Sequence, residues 1–447
     1  MLLTMKRNLE TQAQSRIAAL EKRIRDRTAK LGVIGLGYAG LPLAVEMARQ
    51  GFRVTGIDID GHRVDSVNSG ISYLPDIADK VLLDLVSKSH IRATQSFSAV
   101  EALDTISICV PTPLRKTKDP DMSYVIAAAE AIRAHLTPGK LIVLESTTYP
   151  GTTREVVLPI LEKSGLKGGR DFFLAYSPER VDPSNESFTI RNIPKVLGGI
   201  TPQCTALATL FYQQFTEQVV SLSSAECAEM VKLLENTFRS VNIALANEFA
   251  RMCRQFNINV WEIIDAAKTK PFGFMPFYPG PGLGGTQVPI GPQYLSWKAR
   301  LNGFEPRLIE MASAINAQMP EFTISRVADA LNTQRKSLNG SRLLALGITY
   351  KRDVCDARES AALEVVAGLI AKGANVSYSD PYIPQVQIGG KTLCSEELNS
   401  QLLRSLDCVV ILTDHSSFDY SMVASHSPLI LDCRNALKDF SSSKVLL

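Results

Sequence analysis

The sequence predicts an α/β protein with two parallel-sheet domains joined by a long central helix and a helical middle domain. Three observations carry this. Short apolar runs alternate with helical stretches from Lys30 to about residue 200; the segment from Ser223 to Phe256 holds no proline or glycine and repeats apolar residues at helical spacing; and a second alternating set begins at Arg342. A chain of 447 residues exceeds what one hydrophobic core organises, so two or three domains of roughly 100 to 200 residues each are expected.

The elements follow in order. Residues 1–28 are charged throughout, lack the apolar centre of a signal peptide and space Ile17, Leu20 and Ile24 along one stripe, which predicts an N-terminal amphipathic helix. Residues 29–205 open with a buried strand (LGVIGLG), a helix (LPLAVEMARQG) and a second strand (RVTGIDID), the start of a parallel sheet; TISICV, KLIVLES, FFLAYSPER and KVLGGI continue the pattern. Residues 206–333 form the central helical domain, built around the Ser223–Phe256 segment. After a linker near Thr333 to Ser341, residues 334–447 start a second α/β sheet with RLLALGITY, a helix from Ser360 and ANVSYSDPY, continued by DCVVILTD and PLILDCRNAL.

Composition narrows the class. An apolar fraction of 45% with 21% charged residues is that of a globular protein, and a net charge of +3 with no basic cluster argues against a nucleic-acid partner. The eight cysteines show no C-x-x-C pair and no metal-type spacing, so no metal is expected and a reducing cytoplasm fits best. No apolar run approaches the ~18 residues needed to cross a bilayer, and no membrane association is expected.

Gly35, Gly37 and Gly40 form G-x-G-x-x-G between a strand and a helix, and Asp58 ends the next strand. This is the arrangement of a Rossmann-like dinucleotide site: the first glycine permits the turn, the second lets backbone approach a pyrophosphate, and the helix start offers unpaired N–H groups to the phosphates. Asp58 would bind the ribose hydroxyls and repel the extra phosphate of NADP, which favours NAD, although Arg63 lies close by.

These segments resemble the UDP-glucose/GDP-mannose dehydrogenase family over almost the whole chain from Lys30 to Leu437. The matching motifs are GLGYAGLPLA at Gly35, CVPTPL at Cys109, ESTTYPGTT at Glu145, SPERVDPSN at Ser177, VKLLENTFRSVN at Val231, PFYPGPGLGG at Pro276 and YKRDVCDARES at Tyr350. Within that family SPERVDPSN, PGPGLGG and YLSWKAR look most like UDP-N-acetylhexosamine 6-dehydrogenases, which oxidise a sugar's primary alcohol to a carboxylate in two NAD-dependent steps through a cysteine-bound thioester. The resemblance implies NAD contacts from Tyr38, Ala39, Pro111, Thr112 and Thr148 beside the glycines, Asp58 and Arg63. It assigns proton removal and alkoxide stabilisation to Lys232 and Asn236, and the organisation of a water to Thr148 and Glu179. It also implies substrate contacts from Phe277, Gly284 and Gln287, contacts to the UDP portion from Lys351 and Arg358, a sugar nucleotide seated between the two α/β domains, and a homodimer or higher oligomer. From the residues alone, Lys232 could instead be a solvated helix lysine, and Lys351 and Arg358 could be surface ion-pair partners of Asp353 or Glu359.

One loop departs from the pattern. Where the resemblance expects Gly-Gly-His-Cys or Gly-Gly-Ser-Cys and an aspartate four residues later, the chain reads Gly284-Gly285-Thr286-Gln287 and then Gly291. A glutamine amide is neither nucleophilic nor ionisable, so the thioester route is closed. Cys227 and Cys355 are not spaced to replace the thiol. Three functions stay open: two-electron or redox-isomerising chemistry on a UDP-sugar, a catalytically silent paralogue that binds NAD and UDP-sugar as a regulator or scaffold, and a 6-dehydrogenase working with water in place of the thiol.

Overall fold

The computed structural model describes residues 2–74, 76–115, 117, 119–182, 187–285, 288–440 and 444–446, with side chains from Gln14 onward. It divides into two compact units: residues 1–234 with 293–301, and residues 235–292 with 302–447. The long helix Ala225–Gln255 belongs to both.

The first unit is built on eight strands: β1 (Lys30–Ile34), β2 (Arg53–Ile57), β3 (Ile91–Thr94), β4 (Thr105–Ile108), β5 (Leu141–Leu144), β6 (Phe173–Tyr176), β7 (Lys195–Gly199) and β8 (Val219–Ser221), in the order β3-β2-β1-β4-β5-β6-β7-β8. Strands β4, β5 and β6 are buried along their whole length, as a sheet covered by helices on both faces requires. The chain runs outward from β1 to β3, then returns to add β4 on the other side, so a switch point lies between β1 and β4, with Ile34 paired to both Ile57 and Ile108. The continuation of the parallel pattern into KVLGGI is corrected by the structure: β7 runs antiparallel to β6, with Ala175 opposite Gly199. The described part of the connection between them holds no helix, and a parallel return needs a crossover long enough to span the sheet.

The N-terminal helix, Leu2–Arg25, buries Leu20 and Ile24 completely and is pinned by Arg16 to Asp171 (2.6 Å) and Arg23 to Asp104 (2.9 Å).

In the second unit, β9 (Arg342–Leu346), β10 (Asn375–Ser379), β13 (Cys408–Ile411), β14 (Ile430–Asp432) and β15 (Val445–Leu446) form a parallel sheet in the order β10-β9-β13-β14-β15, beside a hairpin of β11 (Gln385–Ile388) and β12 (Lys391–Cys394). Alternate residues feed two cores. Leu343, Ala345, Val410 and Leu431 pack with Val327, Val365 and Leu369, whereas Leu344, Leu346, Val409 and Ile430 pack with Leu403 and Val423. Among the described residues no helix is long and apolar enough to cross a membrane.

Candidate active site

The glycine loop after β1 is packed tightly on one side and open on the other. A Cβ on Gly40 would fall 1.8 Å from the Gly35 carbonyl oxygen, and one on Gly35, which adopts φ +88°, would fall 2.5 Å from that of Cys109. A Cβ on Gly37 would meet only Nη1 of Arg63, at 3.9 Å. The helix that follows, Gly40–Arg49, starts without a side-chain cap; the Leu41 N–H is taken by the Gly37 carbonyl at 3.1 Å and Pro42 has none, so the backbone it offers a ligand is that of the loop just before it. Tight turn, open approach and uncapped helix start together fit a dinucleotide pyrophosphate. Tyr38 is exposed and Ala39 half-buried at the mouth of this loop.

Asp58 is buried and closes the loop from β2: its Oδ2 accepts from the Leu36 N–H (2.7 Å) and its Oδ1 from the Asp60 N–H (2.9 Å). Arg63 reaches Asp58 at 3.3 Å and Asp60 at 3.6 Å, so its guanidinium is shared between two carboxylates. This pairing opposes its recruitment by a second phosphate.

Residues from the carboxyl ends of neighbouring strands complete this side. Pro111 is exposed and Thr112 half-buried after β4, and the Tyr294 hydroxyl donates to the Thr112 carbonyl at 2.8 Å. Thr148, after β5, is fully buried; its Oγ1 and the nearby Tyr176 hydroxyl have no hydrogen-bond partner among the described residues. Such an orphaned hydroxyl is costly unless a ligand or water meets it. Glu179, after β6, accepts from the N–H groups of Arg180 and Val181, each at 2.7 Å. Lys232 is 5% exposed, which overturns the reading of a solvated helix lysine.

Two buried acids here escaped sequence reasoning. Glu229, one turn before Lys232, accepts from the N–H groups of Gly151 (2.6 Å) and Thr153 (2.8 Å) and from the Thr153 hydroxyl (2.7 Å), tying the long helix to the loop that carries Thr148. Burial outweighs these bonds and pushes its carboxyl up to about 7. Glu145 meets Lys195 at 2.7 Å and the Tyr212 hydroxyl at 2.6 Å, with both charged side chains nearly inaccessible. Burial alone would lower the Lys195 ammonium, but Glu145 and then Glu179 raise it above its usual value. The available signals were slight: an acid at i−3 from Lys232, and one lysine opening an apolar strand.

In the second unit Asn236, on the next turn of the same helix, is 7% exposed, and Gly291 packs directly on it. Phe277 is half-buried and meets Phe238 edge-on, ring centroids 5.7 Å apart. A Cβ on Gly284 would lie 2.8 Å from the Glu359 carbonyl oxygen and 2.9 Å from the Tyr350 Cβ, so the glycine run is seated on the segment that carries Lys351 and Arg358. Lys351 is half-buried. Arg358 is exposed and forks onto Asp356 at 2.9 and 2.7 Å. Gln287 lies outside the described residues. Of the two thiols considered as substitutes, Cys227 is exposed on the helix that buries Lys232, and Cys355 is exposed with its Sγ 3.3 Å from the Tyr382 carbonyl.

Residues 29–216 match the NAD binding domain of the UDP-glucose/GDP-mannose dehydrogenase family, residues 226–318 its central domain and residues 344–439 its UDP binding domain. The chain is 33% identical over 417 residues to a UDP-N-acetyl-D-mannosamine dehydrogenase of Pyrococcus horikoshii, covering 92% of this chain and 96% of that one. It is 35% identical over 356 residues to a UDP-N-acetyl-D-glucosamine 6-dehydrogenase of Pseudomonas aeruginosa, covering 79% and 83%. Among solved structures it is similar to a UDP-D-ManNAc dehydrogenase of Pyrococcus horikoshii, with a TM-score of 0.85, 33% identity and coverage of 93% and 97%.

Proposed function

Because the chain belongs to the UDP-glucose/GDP-mannose dehydrogenase family and is an NAD-dependent nucleotide-sugar oxidoreductase, we propose that it performs two-electron chemistry on a UDP-N-acetylhexosamine. The product is then a carbonyl sugar, or an isomer if the hydride is returned. The observation that carries this reading is the loop sequence itself: Gln287 and Gly291 stand where the resemblance places a thiolate and a carboxylate. Without a thiol no thioester forms, and position 291 carries no carboxylate to hold an attacking water.

Bound NAD supplies the hydride acceptor. The chain's own residues handle the proton and the charge that hydride loss leaves on oxygen. Lys232 takes the hydroxyl proton and the Asn236 amide donates to the developing alkoxide; four residues apart on one helix, they share a face, and both are buried where such bonds are strong. Thr148 offers the site an unmatched hydroxyl, and Glu179 is left as an acid or base with no thioester to hydrolyse. Retention of these groups speaks against a silent scaffold, since burying a lysine without using it costs stability. Lys351 and Arg358 hold the UDP diphosphate as fixed cations.

The test is mass spectrometry of the protein incubated with NAD and UDP-N-acetylglucosamine or UDP-N-acetylmannosamine, in ordinary and heavy water. One NADH per sugar with an aldehyde or ketone, or an epimer without net NADH, unlabelled where the hydride returns to the inverted carbon and deuterium-labelled where a carbon next to the carbonyl exchanges its proton, each abolished by Lys232→Ala, is the expected result. A uronic acid with two NADH per sugar would identify a 6-dehydrogenase, and unchanged sugar despite binding would identify the silent paralogue.

We also propose a homodimer. Phe238, Leu245, Phe249 and Met252 recur along one stripe of the long helix and are all exposed, from 39% to 51%. Contiguous exposed apolar residues along roughly 21 Å of helix, at 1.5 Å per residue, mark an interaction surface, and the same helix in a second copy has matching shape and chemistry. Sedimentation velocity of the wild type and Leu245→Glu tests it: a dimer that the glutamate splits is expected, and a wild-type monomer refutes it.

A further inference from the structure

His415 is the one histidine with no solvent exposure among the described residues, and no motif in the sequence draws attention to it. It follows β13 and sits beneath the segment from Thr349 to Arg358. The Asp353 N–H donates to His415 Nδ1 at 3.0 Å. That bond makes Nδ1 the acceptor, so the ring proton sits on Nε2. Nε2 lies 3.1 Å from both Asp380 Oδ2 and Thr349 Oγ1. The Thr349 hydroxyl spends its own proton on the Lys351 carbonyl, at 2.9 Å.

The ring therefore grips the chain on both sides of Lys351: through Thr349 it holds the Lys351 carbonyl, and directly it holds the Asp353 N–H. Asp353 adopts φ +57°, a left-handed conformation that a non-glycine residue keeps only where its surroundings enforce it. Its carboxylate is held by the N–H of Ser416, the residue after His415, at 2.9 Å. Asp380 in turn accepts from the Ile348 N–H at 2.7 Å, and Tyr382 and Phe418 close over the ring at centroid distances of 5.0 and 5.3 Å. Every polar atom of the imidazole is thus committed to the backbone path through Lys351.

We infer that His415 is a positioning residue for nucleotide binding, which holds Lys351 by clamping the backbone on either side of it. The inference rests on the reading of Lys351 as a contact to the UDP portion. Substitutions at His415 separate its two nitrogens. In His415→Asn the side-chain oxygen lies near the place of Nδ1 and still accepts from Asp353. His415→Gln carries its amide one bond further, towards Asp380 and Thr349, and leaves the Asp353 N–H buried without an acceptor.

Calorimetric titration of UDP into the full-length wild type and both variants, with NAD titrated in parallel as a check on folding, decides the matter. The glutamine variant is expected to bind UDP about tenfold more weakly, the cost of one buried unsatisfied donor, with the asparagine variant closer to wild type and NAD affinity unchanged in both. Wild-type UDP affinity in the glutamine variant, or equal losses in the two variants, overturns the inference. Failure of the wild type to bind UDP removes the underlying reading, and is seen before any variant is made. If neither variant folds, hydrogen exchange in the unsubstituted protein serves instead: the Asp353 amide is expected to be the slowest in its loop, and exchange at the rate of its exposed neighbours overturns the clamp.

Discussion

A Cβ placed on Gly291 would come within 2.9 Å of both Cβ and Nδ2 of Asn236. The first of these atoms is fixed to the helix backbone and cannot swing away, so the glycine is a packing requirement of this chain. Gly291→Asp is therefore expected to displace Asn236 and to lower hydride transfer by about tenfold or more, the scale of losing one stabilising donor. It should yield no uronic acid. Steady-state rates with product analysis check this, and a rise in rate or an acid product would show that the glycine is merely a missing carboxylate.

Gly37 and Gly40 separate cofactor binding from folding. Because the Cβ of Gly37→Ala meets only the tip of Arg63, the fold should tolerate it while NAD affinity falls about tenfold or more, equivalent to ~1.4 kcal/mol of binding. Gly40→Ala drives its methyl into the Gly35 carbonyl and should lower the melting temperature itself. Melting curves beside NAD titrations distinguish the two. Equal effects of both substitutions on melting would contradict the open cradle.

Glu229 makes stability fall as pH rises. Burial lifts its carboxyl from 4.5 to about 7, so between those values the native state holds a proton that the unfolded chain releases. The contribution is fully present below about 4.5, is lost progressively up to about 7 and is constant above, with an upper limit of about 3 kcal/mol. Glu229→Gln cannot titrate. Its apparent melting temperature should gain on that of the wild type as pH increases through this window, and a gap that narrows or does not move would disprove the assignment.

The Glu145–Lys195 pair predicts a strongly non-additive cycle. Lys195→Met leaves a carboxylate buried without its cation and should destabilise by ~3–5 kcal/mol, whereas adding Glu145→Gln should recover much of the loss. Denaturant melts of the two single variants and the double variant measure it. Simple additivity would mean that the pair, despite its 2.7 Å separation, contributes no mutual stabilisation.

Legibility in the sequence followed the range of the interactions concerned. The dinucleotide loop was readable because glycines 35, 37 and 40 and Asp58 act through spacing within one strand-turn-helix-strand unit, and the structure gives each the packing that spacing implies. The residues behind the proposed two-electron chemistry, Gln287 and Gly291, were readable because side-chain identity is covalent. Burial of Lys232 was not readable: a lysine on a helix has the same local signature whether it faces solvent or the interior.

Other features depended on residues far apart in the chain. The antiparallel turn of β7 against β6 arises from a connection without a crossover helix, and no periodicity within KVLGGI reports strand direction. Glu229 became a tether only when the long helix met the turn at Gly151, and His415 a clamp only when β13 brought it under a loop 62 residues earlier. By itself the sequence determined which atoms are available for chemistry and which short loops can bind phosphate, because those properties are covalent or local. Only the tertiary structure decided which buried groups hold them in place, because burial and hydrogen-bond partnership belong to the packed chain and not to any segment of it.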